Sequence, residues 1–205
     1  MSYTADSAAE GLLAQARQGD GDALGELLEL YRGYLKLLAR VQIGQRLQGK
    51  ADSADLVQET FLTAHEVFAQ FRGTTEREML AWLRQILSSR LAKLLRRYLG
   101  TQQRDVRLER SLDEELGNSS QVLGKVLALS QTSPSQKAVR REDAVLLANA
   151  LSRLPEHYRE VIVLRHLEAR TFPEVAERMG RSVDSVEKLW VRALGQLRQA
   201  VGGIQ

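Results

Sequence analysis

The chain has 205 residues, 43% of them hydrophobic and 27% charged, and a net charge of only +3, which favours folded cores over disorder and suits one large domain or two small ones. There is no cysteine, which excludes disulfides and thiolate metal sites, and His65, His157 and His166 fall at no metal-binding spacing, so neither metal nor cofactor is expected. No N-terminal apolar run makes a signal peptide and no segment approaches the roughly 20 apolar residues of a membrane span, so a cytoplasmic protein without membrane contact is expected.

Helical periodicity runs through almost every segment and no run of alternating β-branched residues appears, so the fold class is all-α. Leu12, Leu13 and Ala16, then Leu24, Leu27, Leu28, Tyr31, Leu35 and Leu38, mark two helices separated by the turn Gly19-Asp20-Gly21. After a polar turn around Gln48 to Asp52, the stripe Val57, Phe61, Ala64, Phe68 and Phe71 predicts a third helix capped by Asp52 or Ser53, with Asp55, Gln58 and Glu59 on its opposite face. A glycine-containing loop, Arg72-Gly73-Thr74-Thr75, leads to a fourth helix with the stripe Leu80, Leu83, Leu87, Leu91, Leu94 and Tyr98. Trp82 in this helix is expected to pack in the core rather than to serve as a stacking platform.

Charge is unevenly spread. Residues 1–70 carry six basic and ten acidic side chains, whereas residues 71–110 carry ten basic and four acidic. No acid occurs from Met79 to Arg104, and Arg84, Arg90, Lys93, Arg96, Arg97 and Arg104 fall in one helical stretch and its exit. That is the footprint of phosphate contacts, and equally the pattern of a solvated basic face.

Residues 101–134 break the regular pattern with Ser111-Leu112-Asp113-Glu114-Glu115 and Gly117-Asn118-Ser119-Ser120, a composition typical of a connection between domains, with room for a short helix around Val122 to Leu129. The expected organisation is therefore two small helical domains, 1–100 and 135–205, joined by a linker at 101–134. In the second domain a helix from near Gln136 to Leu151 and another opened by Pro155 precede the segment from Thr171 to Trp190.

That last segment reads as a helix-turn-helix. Thr171 is suited to the N-cap and Pro173 to the first turn, where its missing N–H costs nothing. Gly180 is suited to the left-handed residue that ends the helix, and Ser182 to the cap of the next. Val175, Met179, Val186 and Trp190 are expected to face inward, which leaves Ser182, Asp184, Ser185, Glu187, Lys188 and Arg192 as a polar set suited to base edges and phosphates in a major groove. A plain helical hairpin with a glycine in its turn is the alternative reading of this segment alone.

Taken in order, the motifs resemble those of bacterial extracytoplasmic-function sigma factors, and the resemblance covers nearly the whole chain. It rests on Ala54-Asp55-Leu56-Val57-Gln58-Glu59-Thr60-Phe61, on Phe71-Arg72-Gly73, on Ala81-Trp82-Leu83-Arg84, on Leu151-Ser152-Arg153-Leu154-Pro155-Glu156-His157-Tyr158-Arg159-Glu160-Val161-Ile162 and on Met179-Gly180-Arg181-Ser182. The resemblance implies a transcription initiation factor that binds core RNA polymerase, recognises the −10 and −35 promoter elements and assists melting. By the same resemblance Asp52, Asp55, Leu56, Gln58 and Glu59 would meet the polymerase. Phe71, Arg72, Thr74 and Thr75 would line a pocket for an unstacked −10 base, and Arg84, Ser88, Lys93, Arg96 and Arg97 would hold phosphates or base edges. Arg181, Ser182, Asp184, Ser185, Glu187, Lys188 and Arg192 would contact the −35 element. Besides core polymerase and promoter DNA, the resemblance admits an anti-sigma factor as a partner. The chain departs from the family pattern at Ser88-Ser89, where many members have an asparagine.

Three other classes stand beside it, of which a purely structural adaptor leaves the basic helix and the groove-facing set unexplained. A helix-turn-helix regulator that binds operator DNA without polymerase would share the second domain. An enzyme is not expected, because no paired carboxylates, activated nucleophile, metal cluster or phosphate loop stands out.

Overall fold

The structure, a computed structural model, describes residues 4–47, 51–99, 106–130 and 141–202. All the elements among them are helical: α1 (Thr4–Arg17), α2 (Gly21–Leu47), α3 (Ser53–Val67) with a 3₁₀ turn at Phe68–Gln70, α4 (Glu76–Leu99), α5 (Val106–Ser130), α6 (Arg141–Arg153), α7 (Glu156–Ile162) continued by a π-helical segment at Val163–Leu167, α8 (Phe172–Met179) and α9 (Val183–Gly202). The chain forms two compact units, Met1–Asn118 and Ser119–Gln205.

In the first unit α2 packs against α1, α3 and α4. Most of the predicted stripes are core: Leu27, Tyr31, Leu35 and Leu38 of α2 and Leu80, Leu83, Leu87 and Leu91 of α4 are fully buried, joined by Tyr34, whereas Leu94 is half-buried and Tyr98 is 48% exposed where the α4 stripe runs out. Gly19 adopts φ 98, the left-handed region a side chain avoids, and turns the chain between α1 and α2. Asp20 then caps α2, its Oδ1 accepting from the N–H groups of Asp22 and Ala23 at 3.0 Å each. Asp52 caps α3 in the same way, accepting from Ala54 N–H at 2.8 Å.

The irregular connection expected at 101–134 is corrected over its described part, because residues Val106–Ser130 form one continuous helix. Leu112, Leu116, Leu123 and Val126 are buried at helical spacing, with Ser119 and Ser120 also buried between them. A side-chain stripe of this length outweighs the roughly 1 kcal/mol that a glycine such as Gly117 costs inside a helix. The boundary between the units falls within α5, after Asn118. The start of α6 near Gln136 lies outside the described residues.

In the second unit α9 packs against α6, α7 and α8. Leu147, Leu151, Val161, Val175, Val186, Ala193 and Leu197 are its buried core. The π-helical segment ends in a turn at Ala169, whose φ of 54 is unusual for a residue with a side chain. Arg170 N–H donates to Leu164 O at 3.0 Å and the Arg165 guanidinium donates to Arg170 O at 3.2 Å, so the turn that precedes Thr171 is tied at both ends.

Candidate polymerase and nucleic-acid interfaces

The helix-turn-helix is built by local chemistry. Glu174 Oε2 accepts from the N–H and the hydroxyl of Thr171, both at 2.7 Å, and Pro173 sits in the first turn of α8. These hydrogen bonds hold the Glu174 carboxyl below the usual carboxylate range, the Thr171 hydroxyl contributing most. At the other end Gly180 takes φ 62, ψ 38, and Arg181 N–H reaches back to Ala176 O at 2.9 Å while Gly180 N–H donates to Glu177 O at 3.2 Å. Those two bonds are the Schellman pattern that stops a helix. Ser182 Oγ then accepts from Ser185 N–H at 3.3 Å and opens α9.

Across α9 the sidedness follows from that phase. Val186 and Leu189 are buried, Arg181, Ser182, Asp184, Glu187, Lys188 and Arg192 are exposed, and Ser185 is half-buried. Lys188 Nζ donates to Asp184 Oδ2 at 2.8 Å, an exposed pair one turn apart. Val175 and Val186 face inward as expected, but Met179 and Trp190 are only half-buried. Trp190 carries a polar group that needs a partner: its Nε1–H donates to His166 Nε2 at 3.0 Å, and its ring meets Phe172 edge-on at 5.6 Å. The Arg165 guanidinium covers the other ring, 5.0 Å from the Phe172 centroid. Burial, and then the charge of Arg165, push the His166 pKa down, which keeps the acceptor nitrogen free of a proton.

On α3, Asp55, Gln58 and Glu59 share an exposed face, and Asp52 is exposed at its cap. Leu56 is corrected: it is 3% exposed, because it shares the inward face of α3 with Val57 and Thr60. Sequence reasoning misses the contribution of α2. The Arg32 guanidinium donates from both terminal nitrogens to Gln58 Oε1 at 3.3 Å, pairs with Glu29 and lies 4.8 Å over the Phe61 ring. The Arg32 hydrogen bond lowers the Glu29 pKa. Glu29 and Arg32, a helical i, i+3 pair, were the available signal, but their reach to Gln58 is tertiary. Leu62, 57% exposed one turn beyond Gln58, adds an apolar spot to the same stretch of helix.

The loop between α3 and α4 rests on an aromatic cluster. Phe71 stacks on Phe68 with centroids 5.8 Å apart and meets Trp82 at 5.0 Å, while Phe68 meets Trp82 edge-on at 6.0 Å. Phe71 is therefore corrected from a pocket-lining side chain to a buried floor, at 8% exposure. Arg72, Thr74 and Thr75 are exposed, and Arg72 Nη1 donates to Ala69 O at 3.1 Å. Glu78, in the first turn of α4, accepts from loop residues, and its pKa is lowered first by the Thr74 N–H and then by the Thr75 hydroxyl and N–H.

The basic run along α4 divides by helical phase. Lys93 and Arg97 are exposed. Arg84 and Ser88 are corrected: they are 6% and 4% exposed, since both lie on the stripe of Leu80, Leu83, Leu87 and Leu91. Arg84 Nη1 donates to Tyr34 Oη at 3.3 Å, and Ser88 Oγ donates to Gln85 O at 2.9 Å. Arg96 is half-buried, 3.6 Å from the Glu109 carboxylate of α5. Further along α5, both carboxylate oxygens of Glu115 accept from Nη2 of Arg46 in α2, at 2.6 Å each. Arg104 lies outside the described residues. Among the described residues no cluster of three potential metal ligands occurs, and no helix is long and apolar enough to cross a membrane.

Residues 30–102, which span α3, its loop and α4, match the family "Sigma-70 region 2". Residues 144–197, which contain the helix-turn-helix, match "Sigma-70, region 4". The RNA polymerase sigma factor CnrH of Cupriavidus metallidurans is 31% identical over 186 residues, 91% of this chain and 90% of that protein. The ECF RNA polymerase sigma-E factor of Haemophilus influenzae is 28% identical over 184 residues, 90% of each. Among solved structures, CnrH in complex with the cytosolic domain of CnrY is 25% identical, with 97% of this chain and 99% of that one covered and a TM-score of 0.32. The RsbN–BldN complex is 23% identical, covering 91% and 97%, with a TM-score of 0.31.

A region 2 and a region 4 in this order define a transcription initiation factor. The chain belongs to the sigma-70 family, in its extracytoplasmic-function class.

Proposed function

We propose that the chain guides core RNA polymerase to promoters through three surfaces. Asp55, Gln58 and Glu59, with Arg32 bracing Gln58, form the face that docks on polymerase. The loop residues Arg72, Thr74 and Thr75 meet the melted −10 strand, and the exposed cations Lys93 and Arg97 follow its backbone. Arg181 and Ser182, with the exposed side of α9 as far as Arg192, enter the major groove of the −35 element. Residues 1–100 then serve polymerase and the −10 element, and residues 135–205 the −35 element. The cytoplasm, where the polymerase works, is its place of action, and an anti-sigma factor would act by covering one of these surfaces.

The observation that carries this reading is the polar, exposed face of α9 set behind the Gly180 turn, in a chain that also presents the α3 face. A good bidentate base contact discriminates by about 1–3 kcal/mol, so neither unit selects a promoter alone. Holding both units on one polymerase makes the second contact intramolecular and multiplies the selectivity.

The test is association with bacterial core RNA polymerase, comparing the chain with a variant in which Asp55, Gln58 and Glu59 are all alanine. Tight binding that the variant loses supports both the role and the docking face. Equal binding by the two moves the docking face elsewhere, and no binding by either refutes the polymerase-dependent role.

A further inference from the structure

The loop ahead of α4 is held from two sides. From the helix, Glu78 Oε2 accepts from Thr74 N–H at 2.8 Å, from Thr75 N–H at 3.1 Å and from the Thr75 hydroxyl at 2.9 Å. Thr75 Oγ1 accepts in return from Glu78 N–H at 3.3 Å. An ordinary capping box satisfies the N–H of the cap residue, as Glu174 does for Thr171. Glu78 reaches one residue further back, out of the cap and into the loop.

The second hold is independent and comes from the core. A Cβ on Gly73 would lie 2.3 Å from Phe71 Cζ and 2.8 Å from Glu78 Cβ, so the backbone is seated directly on the Phe71 ring. That ring is fixed in turn by Phe68 and Trp82. The loop can neither settle deeper, because the ring is beneath it, nor lift away without breaking the Glu78 bonds.

This has a chemical consequence for what the loop shows to a nucleobase. The amides of Thr74 and Thr75 already donate to Glu78, so they are not free to read a base edge. The Thr74 side chain and the Arg72 guanidinium remain, at a height set by the two holds. Resting on the reading that this loop selects an unstacked −10 base, we propose that Glu78 is a positioning residue for base selection, acting through Thr74 and Thr75 without touching DNA itself. Its substitution frees two amide donors and loosens the loop, so selectivity falls by more than affinity for polymerase.

The experiment uses holoenzyme assembled from the full chain and bacterial core polymerase. The probe is a pool of forked DNA with randomised duplex and randomised single-stranded non-template segments, and the bound fraction is recovered and sequenced. Glu78→Ala is expected to flatten the base preference at one or two single-stranded positions about tenfold, with duplex preferences and core affinity unchanged. Glu78→Gln, which keeps an acceptor oxygen at the same reach, is expected to retain most of the preference. The proposal is overturned if Glu78→Ala selects as the parent does, if Glu78→Gln loses as much as Glu78→Ala, or if core affinity and helix content fall together with selectivity. A parent holoenzyme with duplex preferences but none in the single-stranded segment refutes the −10 reading of the loop, and the proposal with it.

Discussion

Gly180→Ala and Gly195→Ala should shift the stability of the second unit in opposite directions, although both add the same methyl group. At neither position would the new Cβ meet another atom within 4 Å, so packing contributes nothing to the difference. Gly180 sits at φ 62, where an L side chain costs about 1–2 kcal/mol, so its replacement destabilises by about that much. Gly195 lies inside α9 in a helical conformation, where alanine is favoured by about 0.8–1.0 kcal/mol. For a unit of this size each kcal/mol moves the midpoint by roughly 4–8 °C. Trp190 is the reporter, in a Trp82→Phe background that keeps an aromatic ring against Phe68 and Phe71. Thermal unfolding followed by its fluorescence should place Gly180→Ala below the parent and Gly195→Ala above it. A Gly180→Ala variant that melts with the parent would show that no left-handed residue ends α8, and a lowered midpoint for Gly195→Ala would break the continuity of α9.

Removing an exposed cation and removing a buried one should differ in salt dependence: Lys93→Ala or Arg97→Ala should each lower the salt slope of promoter binding by holoenzyme by about one, whereas Arg84→Met should leave it unchanged. Arg32→Ala should weaken core polymerase binding several-fold in a pull-down titration, since it releases Gln58 and removes a cation–π contact worth about 0.5–1 kcal/mol. For His166, the folded-state pKa lies below the unfolded value of about 6.5, so the unfolded chain takes up more protons as pH falls and stability is lost on going from neutral pH down through the folded-state pKa. His166→Gln, which keeps an acceptor for Trp190, should flatten that part of the Trp190-monitored melting profile between pH 7.5 and 5.5, and an unchanged profile would rule His166 out as its source.

The elements legible in the sequence are those whose causes are local. Thr171, Pro173, Gly180 and Ser182 act on their own backbone or on neighbours within one turn, and each takes the role its chemistry predicts. Asp52 caps α3 for the same reason. What misleads is reasoning from composition without helical phase. Counting cations along α4 groups Arg84 with Lys93 and Arg97, yet 100° per residue puts Arg84 beside Leu80, Leu87 and Leu91, where it is buried against Tyr34. Likewise Gly117-Asn118-Ser119-Ser120 looks like a break, while the leucines at 112, 116 and 123 keep helical register through it. Other features are tertiary and leave no local trace. The bond from Arg32 to Gln58 spans 26 residues, and the seat of Gly73 on Phe71 depends on how Trp82 returns from α4.

The two turns proposed to read DNA share a design that follows from how little binding energy a small unit commands. In that role each would offer a few base contacts of about 1–3 kcal/mol, and ordering a mobile side chain on binding costs about 0.5–1.5 kcal/mol. A turn that had to order itself on DNA would therefore cancel much of its own discrimination. The loop ahead of α4 is instead ordered beforehand by Thr75 with Glu78, and the turn between α8 and α9 by the backbone bonds of Gly180 and Arg181, with the matching pair Thr171 and Glu174 fixing the start of α8. Each also contains a glycine, for unrelated reasons. Gly180 is required by its left-handed backbone in open space, Gly73 by the ring beneath it. The first tolerates any residue content at positive φ, such as asparagine, and the second tolerates none with a Cβ. In the proposed role, selectivity rests on backbone shape set before DNA arrives, and the side chains assigned to bases inherit their positions from residues that are not.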